Sequence, residues 1–136
     1  VGAPPAKEAA VRLGIPVRQP AQLDESFSLD GVDTVVVVAY GALIPASLLD
    51  RANWLNVHPS RLPRWRGAAP IERAIMAGDE ESAVSVIRLV EELDAGPIGA
   101  SRDLSVGGDA TAGDVYREVG QLAPALIDDA LTLSGW

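Results

Sequence analysis

Cysteine is absent from the 136 residues. Disulfides, thiolate zinc sites and cysteine nucleophiles are excluded with it. Histidine and methionine each occur once, at His58 and Met76. A single imidazole with no thiol leaves no credible set of transition-metal ligands. No apolar run approaches the roughly 20 residues of a membrane span, so no membrane is expected as a partner. The opening Val1-Gly2-Ala3-Pro4-Pro5-Ala6-Lys7 has neither an apolar signal-peptide core nor an initiator Met. It fits a processed product or a piece of something longer. Neither G-x-G-x-x-G nor G-x-x-x-x-G-K-[ST] occurs, so nothing argues for a dinucleotide or a P-loop nucleotide. Cations are scarce: 11 Lys and Arg stand against 19 Asp and Glu, a net charge of −8. Such a chain binds nucleic acid or anionic membranes poorly unless its few cations cluster. The residues present, 48% hydrophobic and 22% charged, have an ordinary globular balance that argues against a disordered tail. The length suits one domain over 1–136.

Pro4 and Pro5 ahead of Ala6–Leu13, with Gly14 behind, predict a short helix. Ile15–Val17 reads as a very short extended segment, and 18–31 as a loop with one helical turn. Thr34–Tyr40, β-branched and apolar on both faces, predicts a strand buried on both sides in a parallel sheet. Pro45–Leu49 suits a short helix. Trp54–His58 reads as a second buried strand, ended by Pro59. Residues 59–70 are an irregular Pro- and Arg-rich loop. A helix is expected from Pro70 to about Ala77, stopped by Gly78. Strands are expected over Ser82–Val90 and Pro97–Val106. Thr111 and Asp114 form a variant capping box. It opens a helix carrying Val115, Val119, Leu122, Leu126, Ala130 and Leu133 at helical spacing, a core face, with a kink at Pro124. Strands and helices alternate, which predicts an α/β fold with a largely parallel sheet.

Function in such a sheet sits beyond the C-terminal ends of the strands. Tyr40–Pro45 follows the first strand, and Glu91–Pro97 follows the third. The second ends in Asn56-Val57-His58, whose i, i+2 spacing puts both polar side chains on one face. An amide donor beside a titratable imidazole suits polarisation of a carbonyl oxygen plus proton transfer. A lone histidine is also a common satisfied core residue. Asp94 is either ordinary turn chemistry or a carboxylate that reaches His58 and fixes its tautomer. Arg64-Trp65-Arg66 is a solvated loop, an anion clamp or a loop scaffold. The run Asp79-Glu80-Glu81 reads as a solvated turn.

His58-Pro59-Ser60-Arg61-Leu62-Pro63-Arg64-Trp65-Arg66-Gly67-Ala68-Ala69-Pro70-Ile71 resembles the signature of formyltransferases that use 10-formyltetrahydrofolate. Arg66–Ile71 is most like the members that formylate methionyl-tRNA. The likeness extends to Pro4–Gln19, Val35–Pro45, Leu93–Pro97 and Asp109–Gly113, so it covers nearly the whole chain. It implies a Rossmann-like formyltransferase fold, here lacking the family's N-terminal strands and C-terminal β-barrel, in a cytoplasmic enzyme of translation initiation. It implies a catalytic triad: Asn56 holds the formyl oxygen, His58 stabilises the oxyanion and shuttles protons, and Asp94 orients His58. It places the folate cosubstrate near Tyr40, Gly41, Leu43, Ile44, Pro45, Ser60, Leu62, Pro63, Gly67, Ala68 and Gly96. Methionyl-tRNA would bind mainly through the lacking segments. Formylation of another amine, glycinamide ribonucleotide or an amino sugar, and a non-catalytic folate-binding module are the alternatives. Arg61 stands where the family usually has Leu, and Ala95 where it has Thr or Ser.

Overall fold

The computed structural model describes residues 2–133. Its elements are α1 (Pro5–Arg12), β1 (Thr34–Val38), α2 (Ala46–Leu49), β2 (Asn53–His58), α3 (Pro70–Met76), β3 (Glu81–Arg88), β4 (Ile98–Ser105) and α4 (Ala112–Thr132). All the helices and the four main strands expected from sequence are there. Ile15–Val17 joins no strand among the described residues, its Ile15 N–H instead bonding the Ala10 carbonyl of α1 at 2.9 Å, and 18–31 contains no helical turn. That polar stretch is instead anchored through Leu29, which packs on Leu48 and Trp54, with Leu23 and Phe27 against the same cluster.

The sheet order is β1-β2-β3-β4. β1 and β2 run parallel, but β2–β3 and β3–β4 are antiparallel. The largely parallel sheet expected from sequence is therefore mixed. Chain length explains it. A parallel return needs a crossover of a dozen or more residues, and only the nine residues 89–97 separate β3 from β4. Between β2 and β3 the chain is longer, but much of it is the irregular 59–69 loop. That loop stays at the His58 end, where β3 then starts back opposite β2.

β1 also departs from expectation. It was expected to be buried on both faces, yet Val36 and Val38 are 39% and 61% exposed. β1 is an edge strand, and α4 packs over β3 and β4 rather than over it. β2 is the strand whose two faces are both used. Leu55 and Val57 join Val84, Val86, Ile71, Val115, Val119 and Leu126 in one core beneath α3 and α4. Trp54 faces the other way and packs on Leu29 and Leu48. Strand alternation puts Asn56 and His58 on the Trp54 face, so the polar pair points away from the main core.

α4 begins at a capping box in which the Thr111 and Asp114 side chains each bond the other's backbone N–H. The helix continues as one element past an exposed Pro124, with buried residues on both sides of it. Leu133, expected in its apolar stripe, is instead 47% exposed beyond the last turn.

Leu55 is fully buried on the face opposite the polar pair. Leu55→Ala is expected to cost about 2–5 kcal/mol by cavity formation. Chemical denaturation of the two chains measures the difference.

Candidate active site

β2 carries Asn56 and His58 out of the sheet, and the two loops beyond it close around them. His58 is only 5% exposed. Its Nε2 lies 3.0 Å from the Trp65 carbonyl oxygen. A carbonyl can only accept, so Nε2–H is the donor. The other ring nitrogen, Nδ1, faces Asp94 Oδ2 at 3.5 Å. Asn56 Nδ2 donates to Asp94 Oδ1 at 3.4 Å, and the Gly67 amide donates to Asp94 Oδ2 at 2.7 Å. The three residues singled out from sequence thus meet around one carboxylate that is 8% exposed.

Backbone geometry brings Asp94 there. It adopts φ +47° in the loop joining β3 to β4, a conformation that Asp tolerates better than most residues. Two residues on, Gly96 passes so close to β3 that a Cβ would lie 1.7 Å from the Arg88 carbonyl oxygen. No side chain fits, and the neighbouring Arg88 N–H bonds the Pro97 carbonyl at 3.0 Å. Gly67, at φ +86°, turns its amide toward Asp94 in a conformation open chiefly to glycine.

The 59–69 loop is built as a scaffold. Ser60 is fully buried, its hydroxyl donating to the Arg64 carbonyl at 2.7 Å and its carbonyl accepting from Ser85. Arg64 grips Asp79 through Nε at 2.9 Å and Nη2 at 2.7 Å, and Trp65 Nε1 donates to the same carboxylate at 2.7 Å. The Arg64 and Arg73 guanidinium groups lie 4.2 and 4.9 Å from the Trp65 ring centroid. Of the readings open for Arg64 and Trp65, this is the loop scaffold. Asp79 is the corresponding correction. It was expected to be a solvated turn residue, but loop closure makes it the acceptor for two neighbours 14 and 15 residues away. Nothing local in Asp79-Glu80-Glu81 signals this, because its partners are distant in sequence. Arg61 turns away to Asp103 at 2.9 Å and the Ser82 carbonyl at 3.2 Å.

A cavity of about 260 Å³ opens beside Asp94, walled by Leu62, Pro63, Arg66, Ala95, Gly96 and Ile98. That is slightly below the ~300–1,000 Å³ of typical small-molecule sites. Leu62, Pro63, Gly67 and Gly96 therefore lie with the triad. Tyr40 and Ile44 do not. They line a separate cleft of about 370 Å³ along β1. Leu43 is 71% exposed, Gly41 and Ala68 are also exposed, and Pro45 caps α2. Among the described residues, no group of three or more His, Cys, Asp or Glu is placed to hold a metal, and no helix is long and apolar enough to cross a membrane.

Residues 12–131 match the formyl transferase family. The chain belongs to that family. It is 49% identical over 135 residues to methionyl-tRNA formyltransferase of Cutibacterium acnes, a match spanning 93% of this chain and 42% of the relative. The chain thus spans well under half the length of such formyl transferases. Glycinamide ribonucleotide transformylase 1 from Geobacillus kaustophilus superposes with a TM-score of 0.76 at 26% identity, covering 92% of this chain and 74% of that one. HypX from Aquifex aeolicus, solved in complex with tetrahydrofolic acid, gives 0.67 at 28% identity, covering 73% and 17%. The formyltransferase fold expected from sequence stands, with its sheet mixed as described.

Gly96→Ala is expected to destabilise the chain by about 3 kcal/mol, since overpacking against backbone has no easy relief. Thermal unfolding checks it. Asp79 gives a pH signature. The Arg64 hydrogen bonds and then that of Trp65 hold its carboxyl down to about 2, from 3.8. A depressed carboxyl contributes stability above its unfolded pKa, and that contribution fades as pH falls toward the folded value. The thermal unfolding temperature is expected to fall more steeply between about pH 4 and pH 2 in the parent chain than in Asp79→Asn, which lacks that carboxyl.

Proposed function

We propose that this chain carries the catalytic centre for transfer of a formyl group from 10-formyltetrahydrofolate to the amino group of methionyl-tRNA, in a cytoplasmic enzyme of translation initiation. The observation that carries this reading is the meeting of Asn56, His58 and Asp94 around one buried carboxylate, in a chain 49% identical to a methionyl-tRNA formyltransferase. The cavity beside them suits the cosubstrate. Leu62, Pro63 and Ile98 offer apolar walls for a flat heteroaromatic ring, and Asp94 offers a polar edge.

In the reaction the amine nitrogen bonds to the formyl carbon, and the bond from that carbon to the folate nitrogen breaks. The amine gives up a proton and the folate nitrogen gains one. Asn56 Nδ2 makes only a long 3.4 Å bond to Asp94, which leaves an N–H to donate to the formyl oxygen as charge builds there. His58 has an oxygen facing each ring nitrogen, so a proton on either has an acceptor. It supports the same developing charge and relays protons. Asp94 holds His58 in place and takes up the amine's proton through water.

The charge pattern supports tRNA contacts outside this segment. Arg61 is engaged by Asp103, Arg64 by Asp79 and Arg66 by Glu92. Cations already paired release fewer counterions on meeting phosphates. The same fold occurs in a glycinamide ribonucleotide transformylase, so a different amine is the second reading.

A transfer assay offering charged initiator tRNA, glycinamide ribonucleotide and an amino sugar in parallel tests the choice. Asn56→Ala is expected to lower kcat by roughly 10²–10³. His58→Ala is expected to lower it by roughly 10²–10⁴ while a folate analogue still protects against thermal unfolding. Transfer only to another amine would replace the acceptor. Folate binding without any transfer would leave a binding module.

A further inference from the structure

We infer that Asp79 is a positioning residue for His58, acting through Trp65; the inference rests on the catalytic role proposed for His58. Of the two contacts to the imidazole, the one to the Trp65 carbonyl is the shorter, 3.0 Å against 3.5 Å to Asp94. The ring's orientation therefore depends on where that carbonyl points. Trp65 presents it from a backbone with φ +61°, which a bulky side chain adopts only when its surroundings impose it.

The surroundings that impose it converge on Asp79. Its Oδ2 accepts both the Trp65 indole N–H and the Arg64 Nε–H, and its Oδ1 accepts Arg64 Nη2. One carboxylate thus fixes the Trp65 side chain and the residue before it. Arg64 in turn lies over the indole ring, with Arg73 approaching the same ring. Arg73 Nη1 also donates to the Arg66 carbonyl at 2.7 Å, tying the residue after Trp65. The backbone on both sides of the carbonyl is held, and Asp79 anchors one side together with the ring. Asp79 itself touches neither Asn56, His58 nor Asp94.

Because the chain has a single histidine, the imidazole signals of the labelled chain report on His58 alone. In the parent chain the Nε2–H proton is expected to exchange slowly in an imidazole nitrogen–proton NMR spectrum. Asp79→Ala and Trp65→Phe should each abolish that signal, and the double variant should add nothing, because both act on one path. Asp79→Asn, which keeps an acceptor for the indole, should retain part of it. The Gly67 amide should stay protected throughout, showing that the Asp94 loop is intact. In the transfer assay Asp79→Ala should lower kcat by about tenfold to a hundredfold, as expected for a reacting group moved by up to 1 Å, with KM for the formyl donor within about twofold. A parent chain without a slowly exchanging Nε2–H, or a folded Asp79→Ala or Trp65→Phe chain that keeps the full signal, overturns the inference. Should Asp79→Ala fail to fold, Trp65→Phe decides by the same signal. The NMR result stands whatever the transfer assay gives, so loss of the catalytic reading and loss of the positioning role are told apart.

Discussion

The Asp94 carboxylate is the constraint on which the rest of the site depends. A carboxyl group that is only 8% exposed is tolerable only where hydrogen-bond partners replace water. Here they come from two places in the chain, the Gly67 amide in the 59–69 loop and the Asn56 amide on β2, and the His58 ring at the end of β2 faces the same carboxylate. Satisfying one buried group therefore ties together β2, the loop that follows it and the β3–β4 connection. The same contacts bring an amide, an imidazole and a carboxylate together, the groups to which the proposed reaction assigns its chemistry.

Around this carboxylate, backbone conformations that are individually unfavourable accumulate. Trp65, Ala69 and Asp94 all have positive φ without being glycine. Each such residue costs of order 1–3 kcal/mol and persists only where its neighbours over-determine it. The neighbours are visible. Buried Ser60 and Ser85 pin the start of the loop, Asp79 pins its middle, and α3 takes over at Pro70. Gly96 supplies the close passage that no other residue can make beside Arg88. A rigid sheet end thus holds irregular loops, the arrangement by which a scaffold places reactive groups accurately.

The opposite side of the sheet does different work. Leu55, Val57, Val84 and Val86 meet α3 and α4 in the main core. β1, at the edge, is left with exposed Val36 and Val38 and with a cleft that takes in Tyr40 and Ile44. In the methionyl-tRNA formyltransferase it matches, the chain corresponds to 42% of the polypeptide. The folate-loop residues proposed near β1 and those beside Asp94 lie in separate clefts, so only the second group belongs to the geometry of the triad.

Local signals were enough for the elements themselves. Thr34–Val38 and Asn53–His58 announce strands by β-branched and apolar runs, Thr111 and Asp114 announce α4 by their capping box, and period-2 alternation puts Asn56 and His58 on one face. The ordered motifs from His58 to Pro97 were specific enough to point to the family. Strand direction, the exposure of β1 and the work of Asp79 were not legible. Strand direction depends on where a connection leaves the chain, and exposure depends on which strand α4 happens to cover. Asp79 finds Arg64 and Trp65 only once the loop has closed. The sequence by itself determined which segments are strands or helices and that Asn56 and His58 share a face, because propensity and periodicity act between near neighbours. Only the tertiary structure decided that Asp94 meets Asn56 across 38 residues and that Asp79 supports the loop, because those bonds join groups no local pattern relates.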